Sequence, residues 1–190
     1  MSWTQAYQAQ FAKPLVNQLI AIIQRDQASA LTVINAARAV DGNQALSPIA
    51  EFHKGPGPCT GWPWLYLEIG QTNFNRGDDK GTRHHEVRIN LALDIGQFDV
   101  EMAQEDAQDY ARLLDMIITS AGPWPALGDW TTSLPIQHET VPSGQTAPNA
   151  AGTVNDVFIE SHIPGKASVP EVDAPVMRVT LTVLFELEET

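Results

Sequence analysis

Cysteine, basic residues and long apolar runs are all scarce in this chain of 190 residues. The single cysteine, Cys59, allows neither an internal disulfide nor a zinc site built from several thiolates. No apolar run approaches the roughly 20 residues that a membrane-spanning helix requires, so no membrane association is expected. The first residues lack a basic stretch followed by an apolar one, which predicts no secretion signal and folding in the cytoplasm.

Basic side chains are outnumbered by acidic ones, 11 to 23, which gives a formal net charge of -12. A surface of this sign repels phosphate backbones unless its few cations are gathered in one place. Tight nucleic-acid binding is therefore not expected. Proximity to DNA without adhesion remains compatible with the charge.

The sequence also lacks the short motifs of common catalytic sites. It has no phosphate-binding glycine loop, no dinucleotide fingerprint, no nucleophile elbow and no His-Glu-x-x-His zinc motif. Proline and glycine separate His53 from Cys59, and the sequence identifies no group that would activate this thiol. We expect no enzyme activity and no cofactor. The alternative left open is a small hydrolase or metal enzyme built around His84, His85 or Cys59.

The stretch "RHHEVRINLALDIG", residues 83 to 96, alternates apolar and polar side chains almost without a break. This two-residue period predicts a strand with one buried face. His84 and His85 are adjacent, so they must point to opposite faces of the sheet and cannot readily chelate one ion. We interpret both as solvent-facing or edge histidines. Residues on the face opposite Val87, from Glu86 to Asp94, are expected to meet water.

Three segments carry helical spacing of apolar residues. Residues 4 to 24 predict an amphipathic helix that Pro14 kinks or divides at about Lys13, with the stronger part starting at the proline. Residues 26 to 43 predict a second helix, with Asp26 as its N-cap and Gly42 as its C-terminal stop. The stretch "LTVI" leaves a strand open as an alternative there.

The third helical segment, residues 98 to 122, is the most regular one. It has a clear apolar stripe, and its acidic residues occupy the N-terminal half, where the helix dipole favours anions. We interpret these acids as a solvated outer face and not as a catalytic pair, because an amphipathic helix normally exposes such residues. They are Glu101, Glu105, Asp106 and Asp109.

Two further strands complete the predicted sheet. Residues 62 to 70 alternate Leu65, Leu67 and Ile69 against aromatic and acidic neighbours, and residues 176 to 189 form a long β-branched strand expected in the sheet interior. Between the first of these and "RHHEVRINLALDIG" lies a polar hairpin loop at 71 to 84. This loop is our candidate for contact with another subunit, through Arg76, Asp78, Asp79, Lys80 and Arg83.

Residues 123 to 175 are rich in Pro, Gly, Ser, Thr and Ala, and only "LPIQHETV" and "TVNDVFIESHI" within them look like strands. Such a stretch is rare in a compact domain without a purpose, so we expect an extended arm or loop that orders on a neighbouring subunit. Flexible surface decoration is the alternative. The elements together predict a single α+β domain over residues 1 to 190, with a mainly antiparallel sheet.

The order of these elements resembles one known family. A helical start, "WPWLYLEIG", "HHEVRINLALDIG", "VEMAQEDAQDYARLLDMIITSAG" and a final "VMRVTLTVLFELEE" are similar to the tail terminator and related neck or tail-completion proteins of long-tailed bacteriophages. The similarity covers most of the chain except 123 to 175, where the chain departs from the family's shorter members.

The resemblance implies an α+β fold with helices packed on one face of the sheet. It also implies a non-enzymatic virion protein that forms a ring, expected to be a hexamer. That ring would cap the tail tube, contact the tail tube protein and neck or connector proteins, and let DNA pass without specific binding. Its place would be the tail or neck of the virion, after assembly in the host cytoplasm. Another neck, head-completion or tail-tube component is the alternative within the same class.

Overall fold

The computed structural model describes residues 3–55, 60–75, 83–96, 100–118, 134–135, 151–167 and 176–189. They form two helices, α1 (Trp3–Val40) and α2 (Val100–Ile118), and six strands. The strands are β1 (Glu51–Lys54), β2 (Trp64–Asn75), β3 (Arg83–Ile95), β4 (Leu134–Pro135), β5 (Ala151–Ala167) and β6 (Val176–Glu189). Neither described helix combines the length and the apolarity needed to cross a bilayer.

The strands make one mixed sheet in the order β1-β2-β3-β6-β5-β4. Only β1 and β2 run parallel, while every other neighbouring pair is antiparallel. The predicted α+β class and the interior position of the last strand are both confirmed, since β6 lies between β3 and β5. The hairpin expected between the second and third strands is also present, because β2 and β3 pair antiparallel.

Both helices cover the same face of this sheet, which we call the inner face. Alternate residues of β2, β3 and β6 form one continuous core with the apolar stripes of α1 and α2. The stripe predicted for α2 is buried throughout, and the strand alternation predicted for β3 and β6 supplies the sheet side of the core. The largest fully buried side chains include Phe185, Leu15, Leu19, Ile23, Leu65, Leu67 and Leu91.

The prediction of two helices before residue 44 is wrong, because α1 is continuous from Trp3 to Val40. The buried positions Leu19, Ile23, Ala30 and Ile34 keep helical phase through residues 24 to 26, so one stripe packs on the sheet without a break. Asp26 caps no helix and instead pairs with Arg25 at 2.7 Å. The stop at Gly42 is confirmed: it has the positive φ of 77° that glycine tolerates.

Part of the predicted arm is also corrected. Residues 151–167 form β5, a 17-residue strand of the main sheet, and of "LPIQHETV" the structure describes only Leu134 and Pro135, as β4. Bulges between Val154 and Asp156 and between Ile159 and Ser161 shift the inward-facing series within β5. Because of this shift, β5 does not follow a single two-residue alternation, so the sequence pattern does not reveal its full length. Residues 123–133, 136–150 and 168–175 lie outside the described residues.

A buried ion cluster joins α1 to α2. The guanidinium of Arg38 is 5% exposed and donates to Asp106 Oδ1 at 2.5 Å and to Asp109. Its Nε donates to the carbonyl of Gln44 at 2.7 Å, which fixes the chain as it leaves α1. The interpretation of Asp106 and Asp109 as solvated acids is therefore wrong, because these two carboxylates face α1. Glu105, by contrast, is exposed.

Candidate functional site

The candidate intersubunit loop is the segment of the chain between β2 and β3. The second strand extends to Asn75, five residues further than predicted, so the loop is shorter than 71 to 84. Of its charged residues, Arg76, Asp78, Asp79 and Lys80 lie outside the described residues. Arg83 starts β3 and stands opposite Glu189 of β6 in register. The role of this loop therefore stays a prediction.

His84 and His85 point to opposite faces of the sheet, as the alternation predicts. His84 is exposed, whereas His85 is only 2% exposed. The expectation that both face solvent or an edge is wrong for His85, because it belongs to the inward series of Val87 and β3 is an interior strand. Across the described ranges, no three His, Cys, Asp or Glu side chains are grouped in a way that could hold a metal ion.

A third histidine, His53, lies on β1 and contacts residues at the same edge of the sheet. Its Nε2 lies 2.9 Å from Glu51 Oε2, and its ring meets the Trp64 ring edge-on at 5.3 Å. The hydroxyl and the backbone N–H of Thr60 both donate to Glu51 Oε1. These bonds, the Thr60 hydroxyl first and His53 next, lower the pKa of the Glu51 carboxyl. Cys59 lies outside the described residues.

The sheet face opposite the helices, the outer face, carries an aromatic cluster at one end. Trp64, Tyr66 and Ala92 are buried there, and Trp62 packs against them. A Cβ on Gly96 would stand 2.6 Å from the Trp62 ring, so only glycine lets this ring lie against the end of β3. The aromatic residues of β2 thus make a second, smaller core without a helix.

A buried ion pair borders that cluster. Asp94 of β3 is fully buried, and Arg178 of β6 donates to both of its oxygens, at 2.5 and 2.7 Å. The guanidinium carbon of Arg178 also lies 5.3 Å from the centre of the Tyr66 ring. The hydrogen bonds to Asp94 raise the pKa of Arg178, so the cation stays charged. Sequence alternation places Asp94 on the correct face, but the expectation that it meets water is wrong, because Arg178 shields it.

Further along the outer face the side chains become polar. Thr182 donates to Asn90 at 3.1 Å, and Arg88 donates to both oxygens of Glu160 at 2.9 and 2.8 Å. Glu160 occupies the second bulge of β5, which places its carboxylate within reach of a residue two strands away. Arg88 is also 3.4 Å from Glu86. The hydrogen bonds from Arg88, chiefly to Glu160, raise the pKa of the guanidinium.

The two sides of the sheet end in partly open strands. The short β1 pairs with β2 only from Trp64 to Leu67, and β4 pairs with β5 only at Ala151 and Gly152. No other strand among the described residues pairs with β2 beyond Leu67 or with β5 beyond Gly152 on these outer sides. We call the stretches 68–75 of β2 and 153–161 of β5 the two open edges.

Exposed apolar side chains concentrate on the same two strands. Among the strand residues whose side-chain burial the structure describes, the large apolar ones that are exposed are Ile69 of β2, at 51%, and Phe158 and Ile163 of β5, at 42% and 63%. The interior strands β3 and β6 contribute none to this set. Ile69 follows the buried Leu65 and Leu67 in the inward series, so its predicted burial is wrong. A monomer gains nothing from exposing these side chains, whereas a sheet edge that meets another chain would cover them.

Comparison with known proteins gives little further guidance. No protein-family model matches the chain, and no curated protein matches it. Among solved structures, one similar chain comes from the "Virion of native gene transfer agent (GTA) particle", with 10% sequence identity and a TM-score of 0.39. The similarity covers 85% of this chain and 91% of that chain.

Proposed function

We propose that the chain is a structural virion protein, a tail-terminator-like subunit that assembles into a ring at the end of a phage tail. The observation that carries this proposal is the pair of open edges, which lie at the two opposite edges of one sheet and expose Ile69 and Phe158. A subunit with two different adhesive sides joins its copies head to tail, and such an interface closes into a ring when the rotation allows it.

The resemblance in element order supports the same class, and the α+β fold with helices on one face agrees with it. In this proposal the ring is a hexamer that caps the tail tube and contributes to the head–tail joint. Its partners are further copies of itself, the tail tube protein and neck or connector proteins. The hairpin loop with Arg76, Asp78, Asp79, Lys80 and Arg83 contacts the adjacent subunit.

The charge of the chain suits a passage for DNA. A ring of subunits that each carry a net charge of -12 repels the phosphate backbone, so DNA slides through without being held. Specific nucleic-acid contacts are not needed for this role. The ring protein would work in the virion, at the tail or neck, after assembly in the host cytoplasm.

Two measurements test the proposal. Negative-stain microscopy of the purified protein, at rising concentration and in the presence of tail tubes, should show six-fold annuli with a central hole. Particles produced without the protein should carry overlong tails. Heads that remain unjoined to normal tails would favour the alternative neck or head-completion role. A protein that stays monomeric at every concentration and never joins tails would contradict the proposal.

A further inference from the structure

We infer that, in the ring proposed above and resting on that proposal, neighbouring copies join edge to edge. The open edge of β5, residues 153–161, pairs antiparallel with the open edge of β2, residues 68–75, of the next copy. The sheets of all copies then form one continuous sheet around the ring. Three independent features of the described residues lead to this pairing: strand direction, the height of the two open edges and the residues that they bring opposite each other.

Strand direction is the first feature. The strands β2, β3, β6 and β5 alternate in direction along the sheet. Because their number is even, β5 runs opposite to β2. A copy placed beside the first by rotation about a ring axis, without being turned over, therefore presents its β2 antiparallel to the first copy's β5. Antiparallel pairing needs no crossover connection and continues the ladder already present within each copy.

Height along the strands is the second feature. Following the register across the sheet, Glu68 is level with Ser161, and Asn75 is level with Thr153. The two open edges thus span the same height, so they can pair without a rise from copy to copy. A rise from copy to copy would produce a helical filament, whereas level pairing allows a ring to close when the rotation between copies completes a full turn. Pro164, which has no N–H to donate to a ladder, is level with Leu65, where β1 already covers β2.

Residue matching is the third feature. At equal height, the inward series places Ile69 of one copy beside Ile159 of the next, and both lie on the inner face. No position brings two acids opposite each other: Glu68 meets Ser161, and Asp156 meets Asn73. Opposite like charges would weaken such a pair of strands, and apolar pairs strengthen it. The level pairs from one end to the other are Glu68–Ser161, Ile69–Ile159, Thr72–Val157, Asn73–Asp156, Phe74–Val154 and Asn75–Thr153.

Cysteine cross-linking between copies tests this pairing. In a Cys59→Ser background, the double variant Glu68→Cys/Ser161→Cys puts thiols on two exposed positions that are level on the outer face. Directly opposite residues of antiparallel strands have Cβ atoms about 4.5 to 5.5 Å apart, a spacing that a disulfide can bridge with little adjustment. Within one copy the two positions are separated by β3 and β6, so they cannot react with each other. Mild oxidation should give a ladder of covalent oligomers that ends at the ring size.

The matched control is Glu68→Cys/Glu186→Cys in the same background. Glu186 is exposed, but it lies on the interior strand β6, where no edge of a neighbour can reach it. This control should remain monomeric on a non-reducing gel. A cross-linked ladder from the control equal to that of the test variant would overturn the inference, because the thiols would then be reacting by random collision.

A second pair of variants measures assembly without chemistry. Ile69→Lys adds a charge to the proposed β2–β5 pairing between copies. The fold should tolerate this change because Ile69 is half exposed in the monomer, whereas ring formation should require at least a tenfold higher concentration. Val33→Lys on α1, at a similar exposure of 55%, should assemble like the unmodified chain. Rings that form without cross-links and with an unaffected Ile69→Lys variant would overturn the edge pairing and leave the ring function standing. Absence of rings under all conditions, with tails of normal length in particles that lack the protein, would overturn both.

Discussion

Replacing Arg38 with methionine should destabilise the protein severely. Arg38 donates to Asp106, a carboxylate that is 5% exposed, and it also binds Asp109 and the carbonyl of Gln44. Methionine fills a similar volume but removes the guanidinium that binds the buried Asp106 carboxylate. Removing one partner of a buried ion pair typically costs about 3 to 5 kcal/mol. Domains are stable by only about 5 to 15 kcal/mol, so this single change removes a large share of the total.

Urea unfolding followed by far-UV circular dichroism measures this loss, and thermal unfolding should show a midpoint lowered by roughly 6 to 20 °C. Arg25→Met is the matched control. Arg25 makes an ion pair of similar length with Asp26, but both side chains are exposed, and such pairs contribute at most about 1 kcal/mol. The same chemical change on the same helix should therefore have little effect.

A rescue variant separates the buried charge from a loss of packing. Adding Asp106→Leu to Arg38→Met also removes the buried carboxylate, and apolar replacements of buried ion pairs are often neutral or stabilising. We expect the double variant to recover most of the lost stability. The Asp109 carboxylate is partly exposed, so water can solvate it. A loss below about 1 kcal/mol for Arg38→Met, or no recovery in the double variant, would refute the reasoning from burial.

Two further predictions concern the outer face and the tyrosines. Gly96→Ala should cost about 1 to 3 kcal/mol in urea unfolding, because the new Cβ meets the Trp62 ring, whereas Gly165→Ala, with open space around it, should cost much less; equal losses would contradict the contact. Burial raises the pKa values of Tyr66 and Tyr110 above the ordinary value of 10, so folding favours their neutral forms, and the stability this gives is present below pH 10 and lost as the pH rises further. Absorbance near 295 nm should therefore show these two of the three tyrosines ionising above pH 10, and ionisation with the ordinary midpoint of pH 10 in the folded protein would contradict their burial.

Local periodicity was enough to predict much of this fold. The two-residue rhythm of β3 and β6 and the helical spacing of α2 each indicate which side chains share a face, because side-chain direction follows directly from backbone geometry. The α+β class, the β2–β3 hairpin and the opposite orientations of His84 and His85 follow from these patterns. Each depends only on residues that are close in sequence.

Only the tertiary structure decided which residues cover a given face of a strand or helix. Asp94 was placed on the correct side of its strand, yet its partner Arg178 lies 84 residues away, and the cluster of Arg38 with Asp106 spans 68. The same limit explains the wrong expectations for His85 and for the acids of α2. The bulges of β5 and the merging of two predicted helices into α1 likewise depend on what each segment packs against.

The proposed pairing of β5 with β2 of the next copy shows most clearly what the sequence predicts and what only the tertiary structure decides. The sequence predicted the alternation of β2 and a strand-like stretch within β5, but it could not determine that both strands lie at the edges of one sheet with their open stretches at equal height. Strand order and register arise from pairings between distant segments, whose free energy depends on the whole sheet. Side-chain periodicity is a property of each strand alone, and an edge is a property of the assembled sheet.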